Sequence, residues 1–223
     1  MQLKKKLPLE AVELLVQQYP DSVKVKIKVN DQWLPLHFAL ARNSPIEVLR
    51  FLVQHYPDSV KVKDSKQRLP LHVACANNSL LEVVQFLVQQ DPDSVMVKCN
   101  HQLLPLHISC FGKSPLEVVK LLVQQYPDSV KVKDNDQFLP LYVACANSLP
   151  LEVVKFLVQQ YPDSIEVKDS EQRLPLQIAG RSKAPLYVME FLVEQFPDSV
   201  LFPGMGDLTN EKFGYLLFTM YDE

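Results

Sequence analysis

The segment LPLHVACANNSLLEVVQFLVQQ, residues 69–90, recurs in altered form along the chain. Its opening tripeptide LPL begins at five positions spaced 35 residues apart: Leu34, Leu69, Leu104, Leu139 and Leu174. A Pro-Asp-Ser tripeptide repeats at the same interval from Pro57 to Pro197. A repeat of this length predicts a row of small structural units, each burying its apolar side against the next. We therefore expect one elongated repeat domain.

Each repeat is predicted to hold two helices and an extended loop, which we call the finger. LPLHVACAN, residues 69–77, favours a short helix because proline suits the first turn and small residues allow close packing. In SPLEVVKLLVQQ, residues 114–125, Ser114 is the predicted N-cap and Glu117 completes a capping box, a device repeated from Ser44. Pro127 ends this helix, and the alternating apolar and lysine residues after it predict an extended segment.

These motifs resemble the ankyrin repeat, whose signature joins TPLHxA, LEVVKLL and a D-x-x-G-x finger. The corresponding motifs here are LPLHVAC, LEVVKFL and D-x-x-Q-x. The 35-residue unit is longer than the usual ankyrin unit of about 33 residues. Glutamine replaces the finger glycine at Gln67, Gln102, Gln137 and Gln172. The resemblance implies an all-α fold, an ankyrin-type helical repeat solenoid with short extended finger loops.

The pentatricopeptide repeat is the alternative with the same period, and it binds single-stranded RNA. Its first helix starts almost directly after the Pro-Asp pair. Here 11 residues separate Asp128 from Pro140, and their alternation predicts an extended chain rather than a helix. The ankyrin interpretation is therefore favoured.

The repeat spacing divides the chain into three parts. Residues 1–33 are predicted to be a half repeat with a second helix and a finger, and residues 34–203 five tandem repeats. Residues 204–223 are predicted to form a capping helix, because an apolar stripe runs from Phe213 through Leu216 and Leu217 to Met220. The alternative is that this helix docks onto another chain.

Composition limits the classes of partner and compartment. The formal net charge of −3 gives no overall attraction for nucleic acid or an anionic membrane. No segment is apolar for long enough to predict membrane insertion. Four cysteines are too few for a disulfide scaffold, so a cytoplasmic or nuclear location is expected.

Two sets of residues resemble reactive groups but recur with the repeat. They are His37, His72 and His107, and Cys75, Cys110 and Cys145. Stacked helix layers lie about 10 Å apart, whereas zinc needs nitrogen within about 2.1 Å, so neighbouring histidines are not predicted to share a metal. The resemblance implies that these histidines form structural hydrogen bonds, and the cysteines are predicted to be core residues. Cys99 is interpreted as a simple substitution in a finger, with a reactive thiol as the alternative. The sequence thus predicts no enzyme, no cofactor and no metal.

The resemblance implies that partners are held by the finger tips and by the concave side of the first helices. The residue before each LPL varies while its surroundings do not, which is typical of a binding row on a constant scaffold. The row is Trp33, Arg68, Leu103, Phe138 and Arg173. The ends of the first helices add Arg42, Asn77, Phe111, Asn147 and Arg181. We expect these residues to bind another protein, as a module or as a scaffold subunit of a larger assembly. The alternative is ordinary divergence between duplicated units.

Two other functions remain open at this point. Lysines recur at Lys28, Lys63, Lys98, Lys133 and Lys168. Such a stripe could bind nucleic acid or another polyanion with a strong dependence on salt, although lysines of this kind more often solvate an extended edge. The repeats could instead be the regulatory arm of a larger enzyme, to which the half repeat at the start points.

Overall fold

A computed structural model describes residues 8–26 and 32–201. Eleven α-helices lie within these residues, and no β-strand does. The helices are α1 Leu9–Gln18, α2 Pro35–Ala41, α3 Ile46–His55, α4 Pro70–Ala76, α5 Leu81–Gln90, α6 Pro105–Phe111, α7 Leu116–Gln125, α8 Pro140–Ala146, α9 Leu151–Gln160, α10 Pro175–Arg181 and α11 Leu186–Gln195. The chain forms two compact units, the first ending at Tyr126 and the second beginning at Pro127.

The predicted alternation of a short and a longer helix is confirmed. The even-numbered helices, which we call first helices, have seven residues each. The odd-numbered helices, the second helices, have ten residues each. In the first unit α2 contacts α4, and α4 contacts α6; in the second unit α8 contacts α10. The expected all-α helical repeat class is therefore correct.

A left-handed residue makes the sharp turn between the two helices of a pair. After α2, the N–H of Asn43 donates to the carbonyl of Leu40 and the N–H of Ser44 donates to that of Ala39, both at 3.0 Å. These two bonds satisfy carbonyls that the helix end leaves unpaired, as in a Schellman motif. The left-handed residues at this position are Asn43, Asn78, Lys113, Ser148 and Lys183.

The predicted capping boxes at Ser44 and Ser114 are wrong by one residue. In α7 the carbonyl of Pro115 accepts the first helical bonds, from Val118 at 3.0 Å and Val119 at 3.3 Å, so Pro115 is the N-cap. The Ser114 hydroxyl instead donates to the Cys75 carbonyl in the preceding repeat, at 3.3 Å. A bond between repeats therefore replaces the local cap.

The segment after each second helix also differs from the prediction. It begins with one turn of 3₁₀ helix, and the chain becomes extended only afterwards. These turns are Pro20–Lys24, Pro57–Lys61, Pro92–Met96, Pro127–Lys131, Pro162–Ile165 and Pro197–Leu201. Proline fixes a helical φ at the first position, and the turn buries its own apolar residue, as at Val60 and Val130. The alternation of lysine and valine is compatible with a 3₁₀ turn as well as with an extended strand, so the sequence pattern did not distinguish the two.

The core lies between the helices of each unit and includes both leucines of every LPL. Leu69 and Leu71 are 2% and 1% exposed. The division into residues 1–33, 34–203 and 204–223 stays a prediction. The proposed C-terminal helix with Phe213 and Met220 lies outside the described residues.

Candidate protein-binding surface

A buried aspartate organises each regular finger. In the first unit Asp64 Oδ1 accepts hydrogen bonds from the N–H groups of Lys66 at 2.9 Å and Arg68 at 2.8 Å. The N–H of Asp64 donates back to the Arg68 carbonyl at 3.0 Å, which closes the loop. Asp134 and Asp169 repeat these contacts in the second unit. The backbone that presents the variable residue is therefore the same in these fingers.

The finger glutamines adopt the backbone conformation that glycine favours. Gln67, Gln137 and Gln172 have φ values of 59°, 64° and 62°. The substitution of glutamine for glycine thus leaves the finger turn intact at some cost in backbone strain. One finger differs, because Cys99 stands where the others have aspartate, and two successive residues, His101 and Gln102, are left-handed.

The two arginines of the predicted binding row are held by their own fingers. Arg68 Nε and Nη2 lie 2.8 Å and 2.7 Å from Asp64 Oδ2. Arg173 Nε lies 2.7 Å from Asp169 Oδ2 in the same way. Burial acts to raise the pKa of Asp64, but the hydrogen bonds and charge of Arg68 outweigh it and leave the pKa below its ordinary value.

Trp33 connects the Asp64–Arg68 finger to α2, the first helix that follows Trp33 in the chain. Its Nε1 donates to Asp64 Oδ2 at 3.1 Å, and the Arg68 guanidinium carbon lies 5.7 Å from its ring centroid. The rings of Phe38 and Trp33 pack edge to face, with their centroids 6.5 Å apart. The guanidinium carbon of Arg42 lies 4.8 Å from the Phe38 ring centroid. We call Trp33, Phe38, Arg42, Asp64 and Arg68 the aromatic–arginine cluster.

Sequence reasoning missed Phe38 in this cluster. It occupies a helix position that Val73 and Val143 fill with buried aliphatic side chains, whereas Phe38 is half-buried. The aromatic residue at a repeat position that is otherwise aliphatic is the sequence feature that could have identified Phe38 as part of the surface. Its partner Arg42 lies one helical turn later, where it can stack on the ring.

The other members of the predicted row are also half-buried at the finger ends. Phe138 stacks on Tyr142 in the second unit, with ring centroids 5.5 Å apart and an interplanar angle of 12°. Leu103 lies half-buried in the finger that carries Cys99. All five row residues therefore share one kind of position, partly accessible at the end of a finger.

The second set of predicted residues does not share one position. Arg42, Asn77 and Asn147 are the residues that follow their first helices, whereas Phe111 and Arg181 are the last residues inside α6 and α10. Asn77 and Asn147 turn back to hydrogen-bond the carbonyls of Val73 and Val143, at 2.8 and 2.9 Å. Phe111 is 69% exposed. Of this set, Phe111 offers the most accessible apolar side chain.

The histidines hydrogen-bond to the backbone where the fingers end. Nδ1 of His37, His72 and His107 accepts from the N–H of the leucine three residues earlier, at 3.2 to 3.3 Å. Burial lowers the pKa of His37 and of His72 to about 4, so both rings are neutral at neutral pH. The predicted structural role is confirmed.

The replacements Gln177 and Tyr142 each preserve a structural bond. Gln177 Oε1 accepts from the N–H of Leu174 at 2.7 Å, as a histidine Nδ1 does. The Tyr142 hydroxyl lies within hydrogen-bond distance of the carbonyls of Val167 and Arg173 in the following finger, and its single proton bonds to one of them. This position therefore serves the architecture in every repeat.

All four cysteines are buried. Cys75, Cys99, Cys110 and Cys145 are all free and buried. Burial raises the pKa of Cys75 and Cys110 to about 12 and also raises that of Cys99. Thiolate, the reactive form, is thus disfavoured. Within residues 8–26 and 32–201, no group of three or more His, Cys, Asp or Glu residues is placed to hold a metal ion.

Some lysines beside the predicted lysine stripe are paired with acidic residues or with the backbone. Lys24 Nζ lies 3.0 Å from Asp21, and Lys131 Nζ lies 3.2 Å from Asp128. Lys26 Nζ donates to the Lys63 carbonyl at 3.2 Å. Lys28 lies outside the described residues.

Fold and surface together define a helical repeat protein in which helix pairs alternate with fingers along the chain. The family model for ankyrin repeats, three copies in length, matches residues 4–98, 56–134 and 72–171. The chain belongs to the ankyrin repeat family, whose members are generally protein–protein interaction modules and typically not enzymes. No curated protein matches the sequence. Over the described part of the chain, every helix is too short or too polar to span a membrane.

Proposed function

We propose that this protein is a non-enzymatic binding module or scaffold that holds another protein against its fingers and first helices. The observation that carries the proposal is the aromatic–arginine cluster, in which Trp33 and Arg68 stand at the variable finger position. Tryptophan and arginine are the residues most often found at energetic centres of protein interfaces. Arg173 and Phe138 fill the same position in the second unit.

The cluster is organised before any partner arrives. Trp33 is fixed by its bond to Asp64, and Arg42 rests on the Phe38 ring. Immobilising a flexible side chain on binding costs about 0.5–1.5 kcal/mol, and side chains already held in place avoid much of that cost. Partly accessible, preorganised side chains on a constant backbone therefore favour recognition by a rigid surface. Free, buried cysteines support a cytoplasmic or nuclear location for this activity.

The test compares two double variants in affinity purification with identification of bound proteins. Trp33→Ala with Phe138→Ala is expected to weaken binding to the main partner at least about tenfold. A loss of about tenfold is the effect expected from removing a single energetically important interface residue. Gln85→Ala with Lys120→Ala, at exposed positions on α5 and α7, is the control and should keep the partner. Circular dichroism and thermal unfolding check that both variants fold. Equal partner recovery by both folded variants would contradict the proposal.

A further inference from the structure

The aromatic–arginine cluster and its surroundings carry an excess of positive charge. The cluster itself supplies two cations, Arg42 and Arg68, and one carboxylate, that of Asp64. Two further cations, Lys26 and Lys63, stand beside it, because Lys26 Nζ donates to the Lys63 carbonyl at 3.2 Å and Lys63 directly precedes Asp64. The whole chain, in contrast, has a formal net charge of −3. This surface is thus locally cationic on a chain that is acidic as a whole.

The buried ring of His37 shows that several of these charges lie close together. Burial lowers the pKa of His37, and the charges of Asp64, Arg68 and Lys26 also act on it. One imidazole is therefore within reach of all three groups. Lys26 comes from the segment after α1 and Arg68 from the finger before α4, so the packing of successive repeats brings these cations to one place.

Three of these cations have no acidic partner among the described residues. Arg68 is neutralised by Asp64, whose Oδ2 lies 2.7 Å from Arg68 Nη2. No described carboxylate lies within ion-pair distance of Lys26, Arg42 or Lys63. Lys26 is exposed, and Arg42 and Lys63 are half-buried. Each of the three can therefore pair with a carboxylate that a partner brings, without the large cost of burying a charge completely.

The same finger position in the second unit is balanced instead. Arg173 Nε lies 2.7 Å from Asp169 Oδ2, and Arg173 Nη1 lies 2.8 Å from Glu171 Oε2. Phe138, the other row residue of that unit, brings no charge. The cationic excess is therefore a feature of the first unit's cluster and not a general property of the repeat.

We propose that the aromatic–arginine cluster binds an acidic segment of the partner protein, in which Asp or Glu side chains flank an apolar one. This inference rests on the proposed function and adds the chemistry of the partner. The carboxylates pair with Lys26, Arg42 and Lys63, and the apolar side chain packs against the half-buried rings of Trp33 and Phe38. Complementary charge of this kind speeds association and excludes basic competitors.

Nucleic acid fits this surface less well than an acidic peptide does. Single-stranded nucleic acid binds largely by stacking its bases on aromatic side chains. Here the Arg68 guanidinium carbon lies 5.7 Å from the Trp33 ring centroid, and that of Arg42 lies 4.8 Å from the Phe38 ring centroid. Each ring therefore already carries a cation against it. Three unpaired cations would also displace few counterions from a polyanion, whereas a peptide adds apolar contact.

Fluorescence anisotropy of the full chain with two labelled peptides tests the proposal. One short peptide repeats Glu-Phe-Asp-Ala, and the matched control peptide repeats Gln-Phe-Asn-Ala. The acidic peptide is expected to bind at least about tenfold more tightly than the control peptide, and its affinity should fall as salt rises from low to moderate. Failure of the acidic peptide to bind, or equal affinity for the two peptides, would overturn the proposal.

Charge reversal assigns the binding to this surface. Lys26→Glu with Arg42→Glu should lower the affinity for the acidic peptide at least about tenfold. Lys120→Glu, at an exposed position on α7, is the control and should keep the wild-type affinity. Circular dichroism checks that each variant folds. Lys26→Gln with Lys63→Gln, which leaves the ring contact of Arg42 in place, gives a second and milder test of the same loss.

The remaining outcomes separate this inference from the proposed function. Equal losses in the charge-reversal pair and in Lys120→Glu would refute the assignment to this surface. Single-stranded RNA that binds the same surface more tightly than the acidic peptide would refute it in favour of a polyanion. A partner protein that is lost with Trp33→Ala and Phe138→Ala but is insensitive to the charge reversal would refute the acidic segment and leave the proposed function standing.

Discussion

Arg68 and Asp64 form an ion pair in which two guanidinium nitrogens approach one carboxylate oxygen, at 2.8 and 2.7 Å. The other oxygen of Asp64 accepts two backbone N–H groups of the same finger. In the second unit Arg173 Nε lies 2.7 Å from Asp169 Oδ2, and Asp169 Oδ1 accepts from the backbone N–H groups of Glu171 and Arg173. The residue predicted to face a partner is therefore also part of the frame that shapes the finger.

Asp64→Ala is expected to destabilise the protein by about 2 kcal/mol, because it leaves buried backbone donors and a half-buried guanidinium without their acceptor. Urea unfolding at neutral pH measures the change. Asp58→Ala is the matched control, since Asp58 is exposed in the Pro57–Lys61 turn, and it should stay within about 0.5 kcal/mol of wild type. Equal effects of the two substitutions would show that the buried carboxylate does not hold the finger.

The repeated motifs were enough to predict the paired helices, and the resemblance to ankyrin repeats implied the structural role of the histidines. The motifs could not predict the helix start at Pro115, because the Ser114 hydroxyl finds an acceptor in another repeat, and only the folded structure brings Cys75 close. The sequence also did not separate Phe111, the last residue of α6, from Asn77, the residue that follows α4, because the two differ by only one position in the repeat. The resemblance and the variation between repeats together predict the candidate surface, but neither reveals the support that Asp64 gives to its neighbours.

Acid should destabilise the protein through its buried histidines. The pKa of His72 is about 4 in the folded state, below the unfolded value of 6.5. The unfolded state therefore binds more protons between these values, so the stabilisation is complete above about pH 6.5 and is lost as pH falls towards about 4. A shift of this size corresponds to about 3 kcal/mol for each such histidine.

His72→Gln removes one such contribution and keeps the bond to the backbone, as Gln177 does. Urea unfolding at about pH 7 and about pH 4.5 should show a smaller loss of stability on acidification than in wild type. His55→Gln is the control, because His55 is exposed on α3, and it should keep the wild-type difference. An unchanged pH dependence in His72→Gln would mean that this ring is not held neutral by burial.

Gln67→Gly should stabilise the protein, because φ at this residue is 59° and glycine adopts that conformation without strain. Relief of a left-handed conformation is worth about 1–2 kcal/mol, and the greater freedom of unfolded glycine offsets about half of it. Thermal and urea unfolding should show a gain of up to about 1 kcal/mol. The same change at Gln85, inside α5 and exposed, should instead cost about 1 kcal/mol. Destabilisation at both positions would argue against strain in the finger.

The protein should not bind heparin at moderate salt. Its 26 acidic residues outnumber its 23 lysines and arginines, and Asp128 pairs with Lys131 in a finger. Binding to a polyanion requires several cations free to replace counterions. Elution from a heparin column before moderate salt is the expected result. Firm retention that collapses steeply as salt rises would instead favour the lysine stripe as the functional surface.

Gly112 lies close to the backbone of the preceding repeat, so Gly112→Ala should destabilise the protein, although glycine-to-alanine changes at negative φ usually stabilise. The φ of Gly112 is −74°, a conformation in which alanine would ordinarily be the better residue. A Cβ there, however, would lie 2.4 Å from the Cys75 carbonyl oxygen and 3.1 Å from that of Ala76. Both contacts are to backbone, so the repeats would have to separate, at a cost of about 1–3 kcal/mol. Asn147→Ala, at the same position of another repeat, loses only a side-chain bond and should cost about 1 kcal/mol or less by urea unfolding. If Gly112→Ala proves neutral or stabilising, this close approach does not limit how tightly α6 packs on α4.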